Sequence, residues 1–316
     1  MAAKQTIAVV GATGAQGGGL ARAILEDASS AFAVRAITRK PDSPKARALA
    51  EQGAEVVRAD LDDRESLVQA FQGAYGAFCV TNFWEHGSPD RELAQAEHMA
   101  EAARRAGLEH VIWSTLEDSR EDVPLADERM PTLMERYKVP HYDAKGEADR
   151  FFVEREVPTT YYRTSFYWDN MIHFGMGPKK QPDGTVALAL PLGASRLPGM
   201  AVADIGKCAY GVFRRGKDFV GETIGVAGGF LTGADMAAGL SKALGREVTY
   251  VDVPPEQFRA LGFPGAEDLG NMFHWQRDFA DVYCGRRSID LARELDPELQ
   301  SYDTWLERHR HEIEIG

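Results

Sequence analysis

The sequence predicts an α/β protein, a Rossmann-type doubly wound parallel sheet with a smaller C-terminal α/β lobe. Three observations lead there. A short apolar run, Ile7 to Val10, passes without a linker into a turn with glycines at 11, 14 and 17, and then into the helix-forming segment Leu20 to Glu26. Further apolar runs follow, separated by helical segments, and this alternation requires right-handed crossovers and a parallel sheet covered on both faces. The chain has 316 residues, 44% hydrophobic and 27% charged, which is ample for a large core. Residues 1–164 are expected to form a nucleotide-binding core completed by parts of 200–230, and 165–316 a substrate or partner lobe interleaved with it.

Taken in order, the first strand ends at Gly11, which lets the chain turn out of the strand. Gly14 lets backbone approach a pyrophosphate without a Cβ in the way, and Gly17 lets the helix pack close to the strand. The unpaired N–H groups at the helix start then face the phosphates. Phe32 to Thr38 is a second strand, closing on Arg39-Lys40. An acid about 20 residues past the glycines would accept a ribose 2′-hydroxyl, whereas a cation suits a 2′-phosphate. Thr38, Arg39 and Lys40 offer a hydroxyl and two cations, so the cofactor expected is NADP(H). Ser43 to Gln52 is a helix, and Glu55 to Ala59 a third strand. By resemblance to short-chain dehydrogenase/reductase proteins, Asp60 is a candidate for meeting the adenine and Leu61 for flanking it, while Asp62 or Asp63 caps the helix starting near Arg64.

Gly76 to Thr81 is the fourth strand, and Thr81-Asn82-Phe83-Trp84 at its carboxyl end points into the crevice where such sheets bind ligands. Ser88-Pro89 starts a long helix that Gly107 closes, its charged residues forming an exposed face. His110 to Ser114 is the fifth strand. The charged, proline-containing stretch 117–140 is expected to be a mobile flap beside the site. A helix from His141 to Phe152 and a sixth strand, Thr159 to Thr164, follow. In the lobe, Asp204 is a plausible cap of a helix through Phe213. Gly221 to Val226 and Val248 to Asp252 are strands, and Thr232 with Asp235 forms a capping box. Phe258, Phe263, Met272, Phe273 and Trp275 are an apolar cluster that either walls a cleft or packs as core.

The spacing G-x-x-G-x-x-G resembles the short-chain dehydrogenase/reductase superfamily, and that resemblance implies a carbonyl activated by a tyrosine and a lysine four residues on, one turn apart on a single helix face, aided by a serine from the preceding strand end. Lys145 supplies the lysine, but four residues before it stands His141. Tyr142 lies roughly 100° around the helix from the required position. His141, Ser114 and Tyr142 are therefore the proton-transfer candidates, and no catalytic set is assigned. The net charge of −12 disfavours nucleic acid and anionic membrane. Cys79, Cys208 and Cys284 show no metal-type spacing, and no metal site is expected. Met1 to Thr6 lacks the apolar core of a signal peptide, and no run approaches the ~20 apolar residues of a membrane span, so a cytoplasmic protein is expected.

The motifs G-A-T-G-A-Q-G from Gly11 to Gly17, T-R at Thr38-Arg39, V-T-N-F-W-E from Val80 to Glu85 and H-Y-D-A-K-G-E from His141 to Glu147 resemble the NmrA-like family of atypical short-chain dehydrogenases/reductases. So do Y-W-D-N from Tyr167 to Asn170, G-F-P-G-A from Gly262 to Ala266 and N-M-F from Asn271 to Phe273. The likeness covers essentially the whole chain and is strongest to the NADP(H)-sensor group of that family. It implies that the glycine loop and Arg39 hold NADP, that Lys145 touches the ribose, and that Tyr167 to Asn170 closes over the nicotinamide end. Histidine in place of the tyrosine is a feature of that group, which is regarded as regulatory. Ala94 and Glu97 depart from the pattern, since lysines are expected near the cofactor there. The cofactor set expected is Gly11, Thr13, Gly14, Ala15, Gln16, Gly17, Arg39, Lys40, Asp60, Leu61, Thr81, Asn82, Phe83, Lys145, Tyr167 and Asn170. The function implied is an NADP(H)-binding redox sensor acting on a protein partner. The alternative is an NADPH-dependent reductase of quinones or small carbonyl compounds, monomeric or homodimeric in either case.

Overall fold

Alternation along the strands explains the layers. Ile7 and Val9 of the first strand pack with Leu20, Ile24, Ile205 and Val212 on one side of the sheet. Ala8 and Val10 pack with Leu67, Ala96, Met99 and Phe152 on the other. A strand with a period of two, buried on both faces, belongs inside a three-layer α/β sandwich. The computed structural model describes residues 3–316. Its main sheet has seven strands: β1 (Gln5–Val10), β2 (Phe32–Thr38), β3 (Glu55–Arg58), β4 (Gly76–Cys79), β5 (His110–Thr115), β6 (Thr159–Arg163) and β7 (Thr223–Gly225). Every pairing is parallel, in the order β7-β6-β5-β4-β1-β2-β3. The chain winds one way from β1 to β3 and the other way from β4, so the crevice at the switch point opens between the carboxyl ends of β1 and β4.

Three helices of the core start at side-chain caps. α1 (Ala15–Glu26) follows Gly14 at once; α2 (Pro44–Glu51) is capped by Ser43 and α3 (Arg64–Phe71) by Asp63. α4 (Pro89–Ala106) has Ser88 as cap and ends at Gly107, whose φ of 65° is left-handed. α5 (Pro140–Glu154) precedes β6, and α6 (Val202–Arg214) packs on α1, where Gly19 and Gly206 bring the two backbones together. A Cβ built on Gly206 would lie 2.1 Å from the Gly19 carbonyl carbon. The chain after β6 also builds two three-stranded sheets around a second core that contains Trp168, Trp275 and Trp305. The capping box of Thr232 and Asp235 is present.

Three expectations are corrected and one open alternative is resolved. Asp204 does not cap α6; it is buried and accepts hydrogen bonds from the N–H and Nε2 of Gln300, because that distant segment leaves a backbone donor to satisfy inside the core. Phe258, Met272, Phe273 and Trp275 are buried core rather than the wall of a cleft, and Phe263 is the exposed member of the group. The stretch 117–140 is tied down rather than free. Asp143 accepts from the N–H groups of Ser119, Lys138 and Val139, Asn271 Nδ2 donates to the carbonyls of Pro131 and Lys138, and Glu117 pairs at 2.7 Å with buried Arg287. The charges of α4 are not all solvated either: Glu92 is fully buried and Glu97 pairs with Arg155 at 2.6 Å.

Candidate functional site

The crevice begins at the glycine loop. Gly11 has φ of 64°, a conformation that costs a residue with a Cβ, and its neighbour Gly14 is exposed. A Cβ on Gly17 would lie 2.5 Å from the Val10 carbonyl oxygen and 2.6 Å from that of Gly11, so the helix sits on the loop at glycine distance. No side chain caps the start of α1, leaving its first-turn N–H groups directed at the opening. Thr13 and Gln16 are half-buried and Ala15 is exposed beside them. The Ser114 hydroxyl donates to Gln16 Oε1 at 2.8 Å, and Gln16 Nε2 donates to the Tyr167 hydroxyl at 2.8 Å. One amide thus joins the glycine loop, β5 and the segment after β6. Burial pushes the Tyr167 phenol up. Asn170 follows at the start of a single helical turn, Asn170–His173, and is half-buried.

At the end of β2, Arg39 and Lys40 are exposed, and no acid occupies either position. Arg39 makes a bidentate pair with Glu85, 2.5 Å from Nη1 to Oε1 and 2.8 Å from Nη2 to Oε2. Glu85 lies in the turn Phe83–Glu85 after β4. Because β1 runs between β2 and β4, this ion pair crosses the carboxyl end of β1, in front of the glycine loop. Asp60 and Leu61 are half-buried after β3. Asp60 Oδ1 accepts the N–H of Asp62, and the Leu61 carbonyl meets His98 Nδ1 at 2.8 Å.

The other end of the crevice is a buried charge cluster. Lys145 Nζ lies 2.8 Å from Glu92 Oε1, contacts the Thr81 hydroxyl and stands 5.2 Å from the Trp113 ring. Thr81 in turn donates to Glu92. The N–H of Ser88 donates to His86 Nδ1 at 3.0 Å, which puts that ring's proton on Nε2, 3.4 Å from Glu92 Oε2. Burial alone would raise the Glu92 carboxyl, but the Lys145 charge, the nearby His86 ring and the hydrogen bonds from Lys145 and Thr81 outweigh it and hold the group at about 2. Asn82 is exposed and Phe83 buried at the lip of this cluster.

One turn before Lys145, His141 Nδ1 lies 2.5 Å from Asp268 Oδ1, and Asp268 Oδ2 accepts the His141 N–H at 3.2 Å. Both residues are buried. Tyr142 is removed from the proton-transfer candidates: its hydroxyl is hydrogen-bonded to Tyr283 and Gln276 inside the second core, and burial holds its phenol well above the ordinary value. Its position around the helix sends it to the lobe rather than to the crevice. Sequence reasoning missed Glu92, His86, Glu85 and Asp268. The first three lie among residues that read as an exposed face or a turn. Asp268 is 127 residues from its partner, a separation that no local pattern marks.

Among the described residues no helix is long and apolar enough to cross a membrane, and no group of three His, Cys, Asp or Glu side chains could hold a metal ion. The fold is shared with solved structures. NmrA, described as a negative transcriptional regulator and solved with NAD and with NADP, superposes with TM-scores of 0.78 and 0.77 at 24% identity, over 96% of this chain and 95% of that one. Triphenylmethane reductase of Citrobacter sp., solved with NADP(H), superposes with a TM-score of 0.75 at 21% identity, over 96% and 99%. In sequence, the NmrA-like family domain-containing oxidoreductase FrzB of Cladobotryum sp is 32% identical over 307 residues, spanning 92% of this chain and 89% of the relative. The oxidoreductase notA' of Aspergillus versicolor, of the same description, is 27% identical over 309 residues, spanning 92% and 83%. The NmrA-like family model matches residues 3–307, and the chain belongs to that family.

Proposed function

We propose that the chain binds NADP(H) across the carboxyl ends of β1 and β4 and uses it to reduce a small acceptor, a quinone or a carbonyl compound. The observation that carries this reading is the glycine cradle with its uncapped helix start, flanked by exposed cations at the end of β2 with no acid beside the ribose position. The residues fit the cofactor. Gly11, Gly14 and Gly17 give the pyrophosphate backbone approach with no Cβ in its path, and Thr13, Ala15 and Gln16 line the helix start. Arg39 and Lys40 face a 2′-phosphate, with Asp60 and Leu61 at the adenine. Thr81, Asn82, Phe83 and Lys145 lie toward the nicotinamide ribose, with Tyr167 and Asn170 opposite. Bound there, the cofactor supplies hydride, and the protein's task is to position the acceptor and exclude water. The names of the relatives, oxidoreductases across most of their length, support the same reading.

A second reading, a redox sensor acting on a protein partner, is favoured by the absence of tyrosine at position 141 and by the Gln16 link, which ties the glycine loop to Tyr167 and so couples occupancy to the lobe. A switch of that kind needs different cofactor affinities in two conformations. Calorimetric titration with NADPH, NADP and NADH, followed in the same cell by a quinone, separates the readings. Tight NADP(H) binding with turnover is the expected result. Tight binding without turnover against a broad panel of quinones and carbonyls moves the assignment to the sensor, and no binding at all overturns both.

A further inference from the structure

We propose that His141 and Asp268 form a proton-delivery dyad, in which Asp268 from the lobe holds the Nδ1–H of His141 so that Nε2 protonates the oxygen of the acceptor. The inference rests on the reductase reading above and assigns the acid that the missing tyrosine leaves open.

The geometry points one way. Asp268 grips His141 at two points, through the ring Nδ1 at 2.5 Å and the backbone N–H at 3.2 Å, so ring and helix start are fixed together. With Nδ1–H given to a carboxylate, the proton that can be exchanged is the one on Nε2. Nε2 has no hydrogen-bond partner among the described residues, yet it is not sealed in, unlike His86 Nε2 and His110 Nδ1, which are enclosed. A histidine kept only for packing has no use for one nitrogen held at 2.5 Å and the other left without a partner and not enclosed. The ring lies 4.8 Å from Trp84 and 6.0 Å from Phe83, on the turn after β4, and one helical turn from Lys145. That is the edge at which the proposed nicotinamide site opens. Ser114 is committed to Gln16 and Tyr142 to the lobe core, so neither competes for the role.

Asp268 is a positioning residue. It lies on α7 (Ala266–Asp278), and the turn before that helix is laid against Trp84, since a Cβ on Gly265 would be 2.6 Å from the indole. The dyad is therefore completed only by docking of the lobe on the end of β4. In the reaction, the carbonyl carbon, or a conjugated ring carbon of a quinone that then enolises to the hydroquinone, would receive hydride from bound NADPH, which would be oxidised to NADP. The C=O π pair moves to oxygen, and that oxygen takes the proton from Nε2. The N–H bonding pair stays on Nε2, Nδ1–H stays on Asp268, and water returns the proton.

The test combines a spectroscopic and a kinetic readout. In protein labelled with ¹⁵N at histidine, His141 assigned by its loss in His141→Gln is expected to show a protonated Nδ1, and Asp268→Asn to move the proton to Nε2. With a quinone acceptor, His141→Gln and Asp268→Asn are expected to lower kcat about 100-fold or more, in the range of general acid catalysis, with the NADPH Kd changed less than about twofold. Asp268→Glu, which keeps the carboxylate, is expected to recover part of the loss. A native His141 without proton on Nδ1 overturns the dyad and leaves the reductase reading standing, as does full kcat in folded His141→Gln. No turnover by the unaltered protein with NADPH bound overturns the reductase reading, and the proton-delivery role with it.

Discussion

Two ion pairs mark the ends of the crevice, and they are built in opposite ways. Arg39 and Glu85 keep 48% and 41% of their side chains exposed, whereas Lys145 and Glu92 keep 10% and 0%. An exposed pair is screened and contributes at most about 1 kcal/mol, so either partner is readily given up to another ligand. A buried pair is different: its formation is no large gain over an apolar core, but removing one partner strands a charge. The end proposed for the 2′-phosphate is thus made of groups that can change partner on binding, and the end proposed for the nicotinamide of groups set in place by folding. Arg39 can leave Glu85 for a phosphate; Lys145 stays where Glu92, Thr81 and Trp113 hold it.

The contrast is open to measurement. Glu92→Ala leaves the Lys145 ammonium without its acid and is expected to lower unfolding free energy by about 3–5 kcal/mol in a urea titration. A loss under about 1 kcal/mol would make the two ends alike. Arg39→Ala is expected to leave stability almost untouched but to weaken NADPH by about 1.5–3 kcal/mol in calorimetry, with little effect on NADH, because only the former offers the charge-assisted contact. Equal losses for both cofactors contradict the phosphate assignment.

The buried end also predicts a pH response. Asp149 accepts from Thr115 and from Trp113 Nε1, and burial raises its carboxyl from 3.8 to about 7 against the pull of those bonds. Between the two values the folded protein holds a proton that the unfolded chain has lost, so this group's contribution to stability falls as pH rises from about 4 to about 7. Asp149→Asn is expected to remove that slope, gaining about 1–2 kcal/mol at pH 8 relative to pH 4, a figure kept small because the group is only half-buried. Parallel pH profiles for the two proteins would remove Asp149 as their cause. The smallest effect is expected at the exposed end. Glu85→Gln frees Arg39 from a competing carboxylate and should tighten NADPH by at most about fivefold, equivalent to 1 kcal/mol, leaving NADH unchanged. Weaker NADPH binding in that variant would mean that Glu85 orients Arg39 rather than competing for it.

How much of this was legible in the sequence depends on the range of each interaction. The glycine spacing, the caps at Ser88 and Thr232, and the helix stop at Gly107 act within a few residues and were read correctly. The doubly wound parallel sheet also followed, because crossover handedness leaves few alternatives. Glu92 was misread because its burial depends on Lys145 and His86 arriving from elsewhere, and its place in α4 otherwise looks like a solvated face. The segment 117–140 was misread as free because its anchors, Asp143, Asn271 and Arg287, lie far along the chain or on another helix.

The sequence by itself determined the parallel sheet, the glycine cradle and the basic end of β2, since hydrophobic period, glycine geometry and charge are local properties. Only the tertiary structure decided that Tyr142 faces the lobe core, that Glu92 holds Lys145, that Glu85 pairs with Arg39, and that Asp268 reaches His141. Those contacts join residues up to 141 positions apart. Their formation is governed by which buried charges and hydroxyls must find partners once the two cores have packed.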